Sequence, residues 1–315
     1  MSICATMPTL LAAALAAAAL PAQGFAELTA KLARAETCDD AMVGYDGARS
    51  ETFRTYERWR ALATVAELRS ATSHANPVVR CYAVRALVET EAAFDPVALI
   101  KARLQDAAKV TTFSGCCLAE QKVGDVVFGM LRPKLSDEAL LDVAEALVEN
   151  DSPLDARATL LRTLRLRDGM LHRVRALAED GDAPALIALA RYRLPVDLPL
   201  VTKALPRSDP FAHHDRWRAA AAYPDPSLLP LLLRYEGAAR DWLAGHNAFA
   251  LRSWLGAIAA QRSAGAAAFL TRFFDENVDG GRSPYDAQHF RESYRDVQKP
   301  HADCEHYAAL RERVR

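Results

Sequence analysis

Six times in this chain an Asn, Asp or Ser stands directly before proline: Asn76-Pro77, Asp95-Pro96, Ser152-Pro153, Asp209-Pro210, Asp225-Pro226 and Ser283-Pro284. Asn, Asp and Ser side chains accept the orphan N–H groups at a helix N-terminus. Proline suits the first helical position, where its missing N–H is no loss. Each dipeptide therefore predicts a helix start. The intervals are regular: 19 residues from 76 to 95, 57 from 95 to 152, 57 from 152 to 209, 16 to 225 and 58 to 283. Nineteen residues hold one helix and its turn, and two such units of 38 make a helical hairpin. Ser136 predicts a further start without proline, with Asp137 and Glu138 set to complement the positive end of the helix dipole.

Between these starts apolar residues recur every three or four positions. Val79, Ala83, Ala86 and Leu87 share one helical face, as do Val123, Val126, Val127, Met130 and Leu131. Leu140, Val143 and Leu147 repeat the pattern, and so do Ala156, Leu160, Leu161 and Leu164. No convincing apolar–polar alternation is present. Val110-Thr111-Thr112-Phe113 is the one short strand-like stretch, and it is expected to be a turn between helices.

The segment Asn76-Pro77-Val78-Val79-Arg80-Cys81-Tyr82-Ala83-Val84-Arg85-Ala86-Leu87 resembles the second helix of a HEAT repeat. That family opens this helix with Asp or Asn, then Pro and Val-Arg, with Ala and Leu at helical spacing. Leu154 to Leu161 is similar but less complete, and His214 to Ala220 is a weaker copy. The resemblance is strongest over residues 55–92, extends to 165 and is degenerate beyond 195. It implies an all-α fold over residues 27–315, a right-handed α-solenoid of HEAT-like antiparallel hairpins. It also implies a function of binding another protein, as scaffold, inhibitor or immunity-type partner, and it brings no catalytic residue or cofactor.

Residues 1–26 carry no charged side chain, and Leu10–Leu20 is an unbroken run of Leu and Ala. A membrane span needs about 20 apolar residues, so the run reads as the apolar core of a secretory signal peptide. Cleavage is expected after Ala26, with Gly24 two positions upstream. No Lys or Arg precedes the run, and Met7 offers an alternative start. The mature chain is then expected in a periplasm or outside the cell, with no further membrane span. A formal net charge of −1 argues against a nucleic-acid partner, which calls for a basic excess.

Export permits disulfides, and five cysteines follow the leader: Cys38, Cys81, Cys116, Cys117 and Cys304. Equivalent ends of stacked helices lie side by side in a solenoid, so Cys81 is expected to pair with Cys117 or Cys116. Cys38 is a candidate for the leftover vicinal thiol, and Cys304 is expected to be unpaired. The competing reading leaves all five as small buried hydrophobes with free thiols.

Catalytic signatures are missing: there is no Gly-rich phosphate loop, Gly-x-Ser-x-Gly elbow, His-Glu-x-x-His helix or Cys-x-x-Cys pair. Asp275 to Gly281 has a faint calcium-loop pattern, but Asp286 falls where a bidentate Glu is needed. The alternative to a binding module is an enzyme or metal site in the C-terminal region around His289, His301, Cys304 and His306. A single helix cannot aim residues 301, 304 and 306 at one ion. Trp242, Trp254, Tyr235, Phe249, Phe269, Phe273 and Phe274 are expected to be core at helical spacing.

Overall fold

A computed structural model describes residues 24–90, 93–205, 214–244, 247–278 and 284–314, without the side chains of 244, 284–287 and 289. Most of the leader, the expected helix starts at Asp209 and Ser283, Gly280-Gly281 and the His289 side chain lie outside the described set. The described chain is mostly helical and divides into two compact units, one ending at Arg157 and the other beginning at Ala158. Among the described residues no helix is long and apolar enough to cross a membrane.

In the first unit, α1 (24–32) leads into strand β1 (Thr37–Val43). Phe25 of α1 stacks on Trp59 at 5.3 Å, and the Thr29 hydroxyl accepts from the Trp59 indole N–H at 2.8 Å. Trp59 belongs to α2 (Glu51–Leu62), which starts where Ser50 accepts from the Phe53 N–H. Helix α3 (Val65–Ala71) opens with a capping box of Thr64 and Glu67. Asn76 caps α4 (Pro77–Glu89) by accepting from the Val78 and Val79 N–H groups at 2.8 and 3.2 Å. Asp95 does the same for α5 (Pro96–Lys101) at 2.9 and 3.1 Å.

Helix α4 carries the strongest HEAT-like pattern, and it is buried on nearly every side, from Val78 through Leu87. Its neighbours are α3, β1 and α6 (Val123–Leu131). Arg80 is buried with it. Its guanidinium bonds the His74 and Ala75 carbonyls at 2.8 Å and reaches the Asp106 carboxylate at 2.9 Å.

Residues 110–113 are not a turn between helices. They lie in β2 (Lys109–Gly115), which pairs antiparallel with β3 (Cys117–Lys122) from Lys109↔Lys122 to Ser114↔Cys117. Strand β1 joins the other edge of β2 in parallel, with Cys38 opposite Thr112. Val110 is the one fully buried residue of β2, and β3 has none. This sheet is held by main-chain pairing and β-branched residues, so it leaves no apolar alternation to read.

The strand β1 is docked onto α4 by directed polar contacts. The Tyr82 hydroxyl accepts from the Asp39 N–H at 2.7 Å and donates to the Asp39 carbonyl at 3.1 Å. Arg85 bonds the Asp39 carbonyl and Asp40, pairs with Glu89 at 2.8 Å and sits 5.0 Å from the Phe53 ring centre. Tyr56 donates to Glu89 at 2.7 Å and stacks on Tyr82 at 4.6 Å.

Ser136 caps α7 (Asp137–Glu149) as expected. Ser152 does not sit at the start of α8 (Asp155–Thr163). Its buried hydroxyl donates to the Leu104 carbonyl at 2.5 Å and accepts from the Leu154 N–H at 3.3 Å. The first N–H groups of α8 are met instead by the Asp125 carboxylate from α6, at 3.1 Å to Asp155 and 2.7 Å to Ala156. A tertiary cap thus replaces the local one. It needs the close approach that Gly124 allows: a Cβ there would lie 2.5 Å from Leu154 and 2.8 Å from the Arg103 carbonyl.

The second unit continues with α9 (Leu171–Glu179), α10 (Ala183–Ala190), α11 (Leu198–Ala204) and α12 (His214–Ala222). Then follow α13 (Leu229–Leu233), α14 (Glu236–Ala244), α15 (Ala248–Ala259), α16 (Ala264–Val278), α17 (Pro284–Gln298) and α18 (Ala308–Val314). Asp225 caps the short 3-10 turn that leads into α13, accepting from the Ser227 N–H at 2.9 Å. Helix α12 packs between α10 and α15, and α15 packs on α17.

Aromatic rings close this core. Trp217, Trp254, Phe273, Tyr294 and Tyr307 are fully buried, with Trp242 and Phe274 nearly so. Trp254 meets Trp242 and Phe273 edge to face at 6.1 and 5.4 Å, and donates to the Leu232 carbonyl at 2.8 Å. Phe249 departs from the core expectation, with 66% of its surface exposed.

Candidate functional site

The residues singled out by sequence do not assemble into one centre. All five described cysteines are free thiols, so the expected Cys81 bridge to Cys117 or Cys116 is not formed. Cys81 is buried in α4 and faces Cys38 of β1. A hydrogen bond between the two thiols, with burial, pushes Cys38 well above its ordinary pKa. Cys116 and Cys117 are carried out into solvent by the β2–β3 turn, with their sulfurs 3.9 Å apart.

In the C-terminal segment Cys304 is buried, His306 is exposed, and His301 is half-buried. Burial and the nearby Arg262 lower the pKa of His301, and Arg262 is itself paired with Asp303 at 2.6 Å. Among the described residues no three His, Cys, Asp or Glu side chains are grouped to hold a metal ion.

A Ser–His contact that spacing does not reveal lies in the second unit. Ser253 Oγ is 2.5 Å from His214 Nδ1 and 2.9 Å from the Phe249 carbonyl, to which it donates. The hydroxyl has one proton. With that proton on the carbonyl, the imidazole must supply the other hydrogen from Nδ1. Burial, followed by the charge of Arg218, lowers the His214 pKa and keeps the ring neutral. The ring packs on exposed Phe249 at 4.0 Å. This arrangement holds a ring in place and does not aim a nucleophile at a base.

A surface groove in the second unit has a more coherent chemistry. Its volume is about 820 Å³, and its described lining comes from α11, through Leu198, Thr202 and Lys203, and from the end of α13, through Leu231, Arg234 and Tyr235. Leu198, Pro199, Leu205 and Leu231 supply its apolar lining. Tyr235 is fixed by an edge-to-face contact with buried Trp217 at 4.8 Å. Burial raises the Tyr235 pKa, while the positive charges of Arg234 and Arg216 act on it in the opposite direction. Lys203 also borders a smaller adjoining cavity of about 190 Å³ that Arg216 lines together with Glu179 and Asp182.

Several arginines of this unit are matched with carboxylates: Arg162 bonds Asp215 through two nitrogens at 2.8 and 2.9 Å, and Arg175 bonds buried Asp197 at 2.7 Å. Arg240 and Arg272 share Glu236 and Glu276. Lys203, Arg216 and Arg234 have no carboxylate partner among the described residues. They stand 13 and 18 residues apart in sequence, and helix packing brings them to one place.

No family model matches the chain, and neither a curated protein nor a solved structure is similar to it.

Proposed function

We propose that the chain is an exported protein-interaction module built from HEAT-like helical hairpins, and that the α11–α13 groove receives an acidic segment of a partner protein. The observation that carries this reading is the pair of cations without carboxylate partners, Lys203 and Arg234, beside the apolar side chains that line the groove. An acidic residue placed against Lys203 or Arg234 gains a charge-assisted contact, and an apolar neighbour gains the surface of Leu198 and Leu231. The repeat reading is supported by the succession α10, α12, α15 and α17, each packed on the next. Those helices begin at 183, 214, 248 and 284, at intervals of 31, 34 and 36 residues. Export rests on the Leu10–Leu20 run, and the solenoid would place the groove on a surface of stacked hairpins.

Fluorescence anisotropy with a labelled Glu/Leu-rich peptide, against its Lys/Leu counterpart, tests the groove. The acidic peptide alone should bind, and binding should weaken as salt is raised. The Lys203→Glu/Arg234→Glu double variant should bind about tenfold more weakly, taking roughly 0.5–1 kcal/mol for each exposed pair. Equal binding of both peptides, or an indifferent double variant, overturns the reading.

A further inference from the structure

The β2–β3 turn presents two adjacent thiols on a fixed support. Ser114 and Cys117 form the last ladder pair, so Gly115 and Cys116 are the two turn residues. Gly115 has φ +52 and Cys116 is not in the left-handed region, which is the glycine-first pattern of a II′ hairpin turn. The turn is tied back to the sheet by the Gly44 N–H, which donates to the Gly115 carbonyl at 2.8 Å. Both thiols are exposed, whereas Cys38, Cys81 and Cys304 are buried. Among the described residues, access thus confines thiol chemistry in the folded chain to this tip.

We propose that Cys116 and Cys117 form a dithiol–disulfide exchange site whose substrate is an accessible disulfide of a small thiol or of another protein. The Cys116 thiolate attacks one sulfur of the substrate, forming a mixed disulfide and expelling the first thiolate. Cys117 then attacks the Cys116 sulfur. The Cys116–Cys117 bond forms, the mixed bond breaks, and the second thiolate leaves. The two cysteines lose two protons and two electrons, and the substrate disulfide is reduced to two thiols.

Geometry sets the balance between the two forms of such a site. The sulfurs must close from 3.9 Å to the bonded distance of about 2.05 Å, and at an exposed tip no core packing resists this. Neighbouring residues have Cα atoms about 3.8 Å apart, below the usual range of about 4.4–6.8 Å for a disulfide. The bond is therefore strained and readily reduced, so the dithiol form is favoured, the oxidised pair forms only against an excess of substrate disulfide, and the exchange runs back once that excess is removed. Cys116 stands at the turn itself while Cys117 is held in the ladder opposite Ser114, so Cys116 is offered first to an incoming disulfide and takes the attacking role.

The test uses the folded full chain with oxidised glutathione, followed by alkylation and peptide mass spectrometry. The 116–117 peptide should become lighter by two hydrogens without retaining glutathione, and reduced glutathione should reverse this. Cys38, Cys81 and Cys304 should alkylate only after unfolding. The Cys117→Ser variant should trap the mixed disulfide on Cys116, at about tenfold the level seen in the wild type. A mixed disulfide that persists equally in the wild type, no reaction at the tip, or covalent dimers through it each overturn the proposal.

Discussion

The core before Arg157 is threaded by polar groups, while the core after Ala158 is closed by aromatic rings. In the first unit Tyr82, Arg85, Glu89 and Tyr56 connect α4, β1 and α2 through bonds of fixed direction. Those bonds admit one placement of β1. In the second unit Trp217, Trp254, Phe273 and Tyr294 fill space with few directed contacts. Orientation there is assisted from outside by arginine–glutamate pairs. The two exposed features divide in the same way. The first unit offers a hairpin tip with two exposed thiols, and the second offers a groove with unmatched cations.

Deleting a ring from the second core should have the largest effect. Trp254→Ala removes the contacts to Trp242 and Phe273 and the bond to Leu232. It should cost about 3–5 kcal/mol, read as a fall in the denaturant midpoint. Tyr82→Phe keeps the ring stacked on Tyr56 but leaves the Asp39 N–H without its partner. It should cost about 1–3 kcal/mol. An equal or larger loss at Tyr82 would break the contrast, because it would make the polar hub the dominant source of stability.

The same contrast governs what the sequence reveals. Local signals are legible where the partner is local. Asn76, Asp95, Ser136 and Asp225 accept from N–H groups two or three residues on. The start of α8 was misread because its cap comes from Asp125, 30 residues earlier. The hairpin was missed because Thr111, Thr112 and Phe113 are only part-buried and β3 faces solvent, so no period-two signal exists. Cys81 was assigned the wrong neighbour for a related reason: an unrecognised strand, β1, brings Cys38 to it. The groove cations look like any other arginine or lysine in the chain. Which of them meets a carboxylate and which does not is decided by tertiary contacts.

The smallest expected effect is electrostatic. Glu236 accepts from Arg272 at 2.7 and 2.9 Å and from Arg240 at 2.8 Å, and Arg272 also lies 5.1 Å from the Phe269 ring centre. The bond with Arg272, aided by Arg240, lowers the Glu236 pKa to about 2 from an ordinary 4.5. A carboxyl depressed in the folded state binds fewer protons there than in the unfolded chain, so it stabilises the fold above about 4.5. That contribution drains away as pH falls from there towards about 2. Both arginines are about half exposed, so solvent and salt screen the pairs, and Glu236→Gln should cost only about 1 kcal/mol at neutral pH. Comparing unfolding free energies of wild type and variant down the acid limb isolates this group from the other carboxylates. The gap should be constant above about pH 5 and narrow steadily below it. A gap that stays constant into acid would show that Glu236 acts by packing on its neighbours, and would leave the aromatic core to orient the second unit without help from its surface charges.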